Sequence, residues 1–339
     1  MAQPQDREAQ YAHDDTKPAL VLGGTGSFGG AVARELASRG RAVRLMARNA
    51  GRAKQMFADC PGIEIVAGDV QEAPQLQSAA RGCSLIVHGV NYPYDRWVPY
   101  MHTATLNVIG AARTVGADVL FPGNVYGYGA QGPAPLAESA PVKPNSRKGR
   151  FRIRLEQTLA EATRNPAGGD ENEPGPIRVL VVRGGDYYGP TVRNELADWI
   201  FDRARRGRAQ TVFGRMDVAH EWLFVPDLAR AAVDLLALGD QLAPFEVVNV
   251  PGYLADSKDA FCKKVAEVAG KPGLKARVMP WWQVQLFGLF NGPARELLEM
   301  RYLFDTTVCL DGSRLRELLP AFTPTPVDEA MRITLESYR

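Results

Sequence analysis

The sequence predicts a doubly wound α/β fold: a parallel sheet covered by helices on both faces, with a smaller, mostly helical C-terminal lobe. Three observations predict it. Short apolar runs alternate with helical patterns through the first half of the chain, as repeated strand–helix units do. The runs are apolar at nearly every position rather than at alternate ones, which suits strands buried on both faces. The segment Gly23-Gly24-Thr25-Gly26-Ser27-Phe28-Gly29 stands between the first apolar run and the first helical pattern, where such a sheet carries its phosphate-binding turn.

In order along the chain, strands are expected at 19–22, 42–47, 63–67, 84–88, 118–121 and 178–183, with a last one at 245–249. Helices are expected between them at 28–39, 50–58, 72–81, 98–115 and 149–164. The stretch Gly129 to Asn145, rich in Pro, Gly and Ala, reads as a loop, and so does the polar insertion 165–176. Beyond Gly185 the pattern loosens into helices at 191–206, 226–238, 257–269, 282–303 and 326–337, separated by short extended pieces. Residues 1–17 are polar and mixed in charge and read as a disordered tail. The expected division is therefore a dinucleotide-binding domain over 18–185, to which 224–250 returns a helix and a strand, and a substrate lobe formed by 186–223 and 251–339. No internal repeat is visible.

Bulk properties narrow the function classes. The 339 residues are 45% hydrophobic and 23% charged with a formal net charge of +2, an ordinary globular composition with no electrostatic case for nucleic acid. Cys60, Cys83, Cys262 and Cys309 are scattered, so neither a metal site nor a disulfide framework is indicated. The first residues lack the pattern of a signal peptide. No apolar run is long enough to span a bilayer, and a cytoplasmic protein without membrane contact is the expectation.

The glycine segment has a specific chemistry. Gly23 permits a tight turn, Gly26 lets the backbone approach a pyrophosphate, and Gly29 lets the helix pack on the strand. The N–H groups of Ser27 and Phe28 then face the phosphates at a helix N-terminus. The second strand ends Met46-Ala47-Arg48-Asn49 without an acid for the ribose 2′-hydroxyl. Arg48 presents a guanidinium fork suited to a 2′-phosphate, with Arg52 and Lys54 just beyond. NADP is therefore expected in preference to NAD, unless Arg48 only stacks on the adenine.

At this point the chain, from about residue 18 to its end, resembles the short-chain dehydrogenase/reductase superfamily in its extended form, the NAD-dependent epimerase/dehydratase family. The segments that carry the resemblance are Gly23-x-x-Gly26-x-x-Gly29, Gly68-Asp69-Val70, Val87-His88-Gly89-Val90, Asn107 to Arg113, Val125-Tyr126-Gly127, Tyr187-Tyr188-Gly189-Pro190 and Phe224-Val225-Pro226-Asp227-Leu228-Ala229. The resemblance implies a Rossmann domain, with Asp69 and Val70 beside the adenine and Gly89 beside the nicotinamide ribose. It also implies a structural asparagine at 107 and a homodimer through helices 98–115 and 149–164.

Catalysis is where the resemblance breaks. Such enzymes pair Tyr-x-x-x-Lys on the fifth helix with a Ser or Thr after the fifth strand. A free tyrosine titrates near pH 10 and is a poor proton acceptor until a nearby cation lowers that value. Here none of the eleven tyrosines is followed four residues later by lysine. Aligned on Glu156, the two positions are Lys148 and Arg152, and Pro122-Gly123-Asn124 replaces the serines. Lys148 and Arg152 fall one helical turn apart. They either hold cofactor or substrate anions or form a solvated basic helix start with Arg147, Arg150 and Arg154. Lys148 is the candidate acid or base, since arginine stays protonated. Asn124 is the candidate for the serine's hydrogen bond, or else a turn residue. Tyr92 and Tyr94 are placed beside the nicotinamide as a displaced catalytic tyrosine or an apolar wall. His220 is placed where a polar substrate group would sit, followed by Glu221. Trp281, Trp282, Leu286, Phe287, Leu289 and Phe290 are expected to line the core or cleft. Two functions follow: an NADP-dependent oxidoreductase or epimerase on a polar small molecule with non-standard catalytic groups, or a catalytically silent NADP(H) sensor similar to NmrA-like proteins.

Overall fold

The computed structural model describes residues 16–164 and 175–338; most of the tail and most of the 165–176 insertion lie outside the described residues. In chain order the first half runs β1 (Ala19–Leu22), α1 (Ser27–Ser38), β2 (Val43–Ala47), α2 (Ala50–Met56), β3 (Ile63–Ala67), α3 (Ala73–Ala80), β4 (Leu85–His88), α4 (Trp97–Val115), β5 (Asp118–Asn124), α5 (Arg147–Ala162) and β6 (Val179–Gly184). Then come β7 (Asp186–Tyr188), the continuous helical run Glu195–Ala197, Asp198–Asp202 and Arg203–Arg205 (α6), β8 (Gln210–Phe213), β9 (His220–Phe224), α7 (Val225–Leu236) and β10 (Phe245–Asn249). The chain closes with β11 (Tyr253–Ala255), α8 (Lys258–Val268), β12 (Ala276–Met279), α9 (Trp281–Gly288), α10 (Gly292–Leu297), α11 (Tyr302–Asp305), α12 (Ser313–Leu318) and α13 (Val327–Glu336).

Seven strands form one sheet in the order β10-β6-β5-β4-β1-β2-β3, every pair parallel. Strand alternation sends Ala19 and Val21 of β1 to the face covered by α1 and α7, and Leu20 and Leu22 to the face covered by α3, α4 and α5. Both sets are fully buried or nearly so, which is why the strands read as continuous apolar runs. Removing one such leucine costs about 2–5 kcal/mol. Helix ends follow local chemistry. Ser146 Oγ accepts the Gly149 N–H at 3.0 Å to start α5, and Gly116, at φ +68°, ends α4 in the left-handed region.

The sheet order switches direction at β1, between β2 and β4. A crevice opens outside the carboxyl ends of the strands at such a point.

The helical C-terminal portion carries two small sheets, β11-β9-β7 and the parallel pair β12-β8. Its core is aromatic: Trp222 stacks on Phe261 at 4.3 Å and Tyr188 on Phe201 at 5.4 Å. Lys258 is buried at the start of α8, and its ammonium donates to the carbonyls of Phe213 and Arg215, each at 3.0 Å, and of Phe304. Burial lowers its titration to about 8.

Two expectations are corrected here. The single helix expected at 282–303 is broken into α9, α10 and shorter turns. Pro293 lacks a donor, and Asn291 Oδ1 accepts the Ala294 N–H at 2.9 Å to begin a new helix. Of the residues expected to line core or cleft there, Trp281 does and the others do not. Trp281 and Val284 face inward, whereas Trp282, Leu286, Phe287, Leu289 and Phe290 are exposed.

Candidate functional site

The crevice is a cavity of about 650 Å³ that takes its walls from the carboxyl ends of β1, β2, β4 and β5 and from the loops after β3 and β6. At one end the wall is backbone. Gly23 has φ +69°, and a Cβ there would lie 2.3 Å from the Gly89 carbonyl oxygen, so only glycine closes this turn. The Gly26 N–H donates to Gly23 O at 2.9 Å. Gly26 then caps α1 without any side-chain cap, and the first turn of α1 carries no acid. Its leading N–H groups, at Ser27 and Phe28, are thus free to meet an anion. Gly29 does not line the cavity. A Cβ there would lie 2.6 Å from Gly23 O, so its part is the close seating of α1 on the turn. Thr191 Oγ1 donates to Ser27 O at 2.8 Å and ties the loop after β7 to the start of α1.

Around this turn stand Arg48, Asn49 and Arg52 from the end of β2, and Asp69 and Val70 from the end of β3. Asn107 holds the second pair in place by donating to Val70 O at 2.8 Å and Gln71 O at 3.0 Å. Gly89 is needed for closeness too: a Cβ would come within 2.9 Å of Leu22 O.

At the other end the wall is side chains: Tyr92, Tyr94, Trp97, Asn124, Tyr126, Arg152, Asp186 and Tyr187. The Tyr94 and Tyr126 hydroxyls share a hydrogen bond of 2.7 Å. Burial pushes Tyr94 up to about 12 and raises Tyr126 well above the usual tyrosine range, so both are neutral hydroxyls at ordinary pH. Tyr92 accepts from Gln71 Nε2 at 2.7 Å, and burial raises it as well. Asn124 uses its side-chain oxygen to accept the Tyr126 N–H at 3.1 Å. Arg152 is buried over the Phe121 ring at 4.7 Å and the Trp97 ring at 5.7 Å. It donates to Pro122 O, its Nε has no partner among the described residues, and burial depresses its titration. A buried guanidinium with a spare donor beside a cavity is the feature of an anion or polar-oxygen contact.

The sequence-based candidates divide as follows. The cavity brings together Gly23, Gly26, Ser27, Phe28, Arg48, Asp69, Val70, Gly89, Tyr92, Tyr94, Asn124 and Arg152. Lys148, expected beside the reacting atoms, is not in the lining. Its ammonium lies 2.5 Å from Glu296 and 2.7 Å from Glu299, which α10 and the turn after it supply, and 5.1 Å from the centre of the Tyr94 ring, behind the cavity wall. His220 is also set back: its Nε2 lies 2.8 Å from Asp186 Oδ2, and it is Asp186 that meets the cavity. Behind them Glu221 is buried with one oxygen on the Leu310 N–H at 3.0 Å and the other without a hydrogen-bond partner among the described residues. Burial raises it to about 7. The sequence reasoning missed Trp97, Asp186, Tyr187 and Arg193 as lining residues. Asp186 and Tyr187 follow β6 directly, and that position at a strand's carboxyl end was the available signal.

A family model described as the NAD dependent epimerase/dehydratase family matches residues 19–250. The chain belongs to that family. Solved structures share the fold over nearly the whole chain. UDP-glucuronic acid 4-epimerase from Bacillus cereus, in complex with NAD, superposes with a TM-score of 0.72 over 95% of this chain and 98% of its own, at 15% identity. DesIV, a dTDP-glucose 4,6-dehydratase from Streptomyces venezuelae with NAD bound, gives 0.73 over 95% and 96% at 20% identity. A curated relative, an uncharacterized chloroplastic protein of Arabidopsis thaliana, is 31% identical over 109 residues; the match spans 39% of that protein's length. Among the described residues of this family member, no helix is long and apolar enough to cross a membrane.

Proposed function

We propose that this family member is an NADP-dependent oxidoreductase or epimerase that acts on a polar small molecule without the tyrosine–lysine pair. The observation that carries this reading is one cavity lined at one end by a glycine turn that no Cβ could enter and at the other by Arg152, at the position aligned with the family lysine. The residues present fit a dinucleotide. The α1 N–H groups and Gly26 would hold the pyrophosphate, Asp69 and Val70 the adenine side, Gly89 and Arg152 the nicotinamide ribose, and Arg48 with Arg52 a 2′-phosphate. Bound there, a nicotinamide cofactor supplies hydride exchange.

The chain's own groups do the rest. Arg152 provides a fixed positive charge for a ribose or substrate oxygen and shuttles no proton. The hydroxyls of Tyr94 and Tyr126 and the amide of Asn124 act as neutral hydrogen-bond partners that orient the substrate. Asp186, braced by His220, is the group we assign to hold or release a proton on the substrate side. Lys148 serves to fasten α5 to α10.

The neutral tyrosines favour one other reading, a silent NADP(H) sensor. Hydride tracing separates the two. The protein is incubated with NADPH deuterated at either face of C4 and with a metabolite extract, and products are read by mass spectrometry. A deuterated metabolite is the expected result and identifies the substrate class. Cofactor binding with no label in any product would overturn the enzyme reading in favour of the sensor.

A further inference from the structure

Helix α9 and the turn after it present an apolar edge to solvent. Trp282 is 62% exposed, Leu286 55%, Phe287 63%, Leu289 69% and Phe290 91%. Single exposed apolar residues are ordinary on a protein surface, but five in one helix and its turn are not. The edge is firmly mounted. Trp281 packs on Phe213 at 5.8 Å and on Phe304 at 5.9 Å, Val284 is buried, and Gly288 sits so close to α10 that a Cβ would lie 3.0 Å from Arg295 Cα.

The charge along this stretch of sequence is positive; from outside it the Asp95 carboxylate packs against Gly292. Between Glu267 and Glu296 the sequence holds no acid, and its charged residues are Lys271, Lys275, Arg277 and Arg295. Lys275, Arg277 and Arg295 are exposed and have no ion-pair partner among the described residues. The acids that come next, Glu296 and Glu299, are occupied by Lys148 and Arg147.

From these two observations we propose that the α9 edge docks on an anionic lipid surface. Tryptophan, leucine and phenylalanine side chains enter the boundary between head groups and acyl chains, and flanking lysine and arginine reach the acidic head groups. A second copy of this chain fits the edge less well, because a two-fold contact would set the same uncompensated cations against one another. The expectation of no membrane contact rested on the lack of a spanning run, and surface docking requires none. The inference does not depend on the reaction proposed above. It does place the cavity close to the surface, since the inward side of α9 packs in the same cluster as Tyr126, a cavity residue.

The test is co-sedimentation of the full chain with vesicles of phosphatidylcholine alone and of phosphatidylcholine with roughly one phosphatidylserine in three. Binding at least about tenfold stronger to the anionic vesicles, weakening as salt rises, is expected. The triple variant Leu286→Ser, Phe287→Ser, Phe290→Ser should lose about tenfold or more, and so should the charge variant Lys275→Glu, Arg277→Glu. All five side chains are exposed, so an unchanged thermal midpoint should accompany the loss. No sedimentation with either vesicle, or equal sedimentation with both, would overturn the proposal. So would light scattering that shows a dimer which the triple variant converts to monomer, since the occupant would then be a second copy.

Discussion

The two ends of the cleft are built from different materials. At the cofactor end the binding surface is backbone, and its shape depends on side chains that are missing: Gly23, Gly26 and Gly89 leave room that any Cβ would fill or narrow. At the other end the surface is side chains, each fixed by a partner distant in sequence. Tyr94 meets Tyr126, Asp186 meets His220, and Arg152 lies over Trp97 and Phe121. A surface made of backbone is written in one short segment of sequence. A surface made of side chains is assembled only when the chain folds, and it changes its chemistry by substitution without changing the fold.

Substitutions at the two ends should therefore fail differently. The largest effect belongs to Gly23→Val. The left-handed φ and the 2.3 Å approach to Gly89 O leave no place for the new side chain, so NADPH affinity measured by calorimetry should fall at least about 100-fold, or about 3 kcal/mol. Undiminished affinity would mean that the phosphates bind elsewhere.

The next effect lies behind the other end and appears in stability. Glu221 is raised from 4.5 to about 7 by burial. Its neutral form is the one the fold accepts, so this contribution to stability is fully present below about pH 4.5. It is lost as pH rises through 7. At about 1.4 kcal/mol per pH unit, the wild type should lose on the order of 2–3 kcal/mol over that range. Glu221→Gln, neutral throughout, should show a flatter profile in denaturant unfolding. Parallel profiles for the two proteins would show that Glu221 is not the titrating group.

The smallest effect sharpens the cofactor end. Arg48→Asp should move the NADPH-to-NADH affinity ratio about tenfold toward NADH, or about 1.4 kcal/mol. A ratio unchanged by this substitution would reduce Arg48 to an adenine-stacking residue.

These contrasts also explain what could be read in advance. The inner strands of the main sheet were legible because burial on both faces leaves a nearly unbroken apolar run, as at Ala19–Leu22; the edge strand Ile63–Ala67 shows Glu64 and Ala67 to solvent. The glycine turn was legible because its constraint is local. Helical spacing puts Lys148 beside Arg152 but says nothing of Glu296 and Glu299, which arrive from far along the chain. Asp186 and His220 are 34 residues apart and meet through the pairing of β7 with β9, which no motif announces. The α9 edge was misread because apolar composition suggests a covered face without saying whether anything covers it.

The buried ammonium of Lys258 has a consequence for motion. Its three carbonyl partners belong to the end of β8, the turn after it and the end of α11. Separating any one of them would leave a cation in an apolar interior with an unfilled donor. Such an opening is costly unless all the pieces leave together. The amides of these segments should therefore exchange their hydrogens with solvent as a single cooperative unit, so that the C-terminal portion opens like a door on one bolt rather than fraying loop by loop.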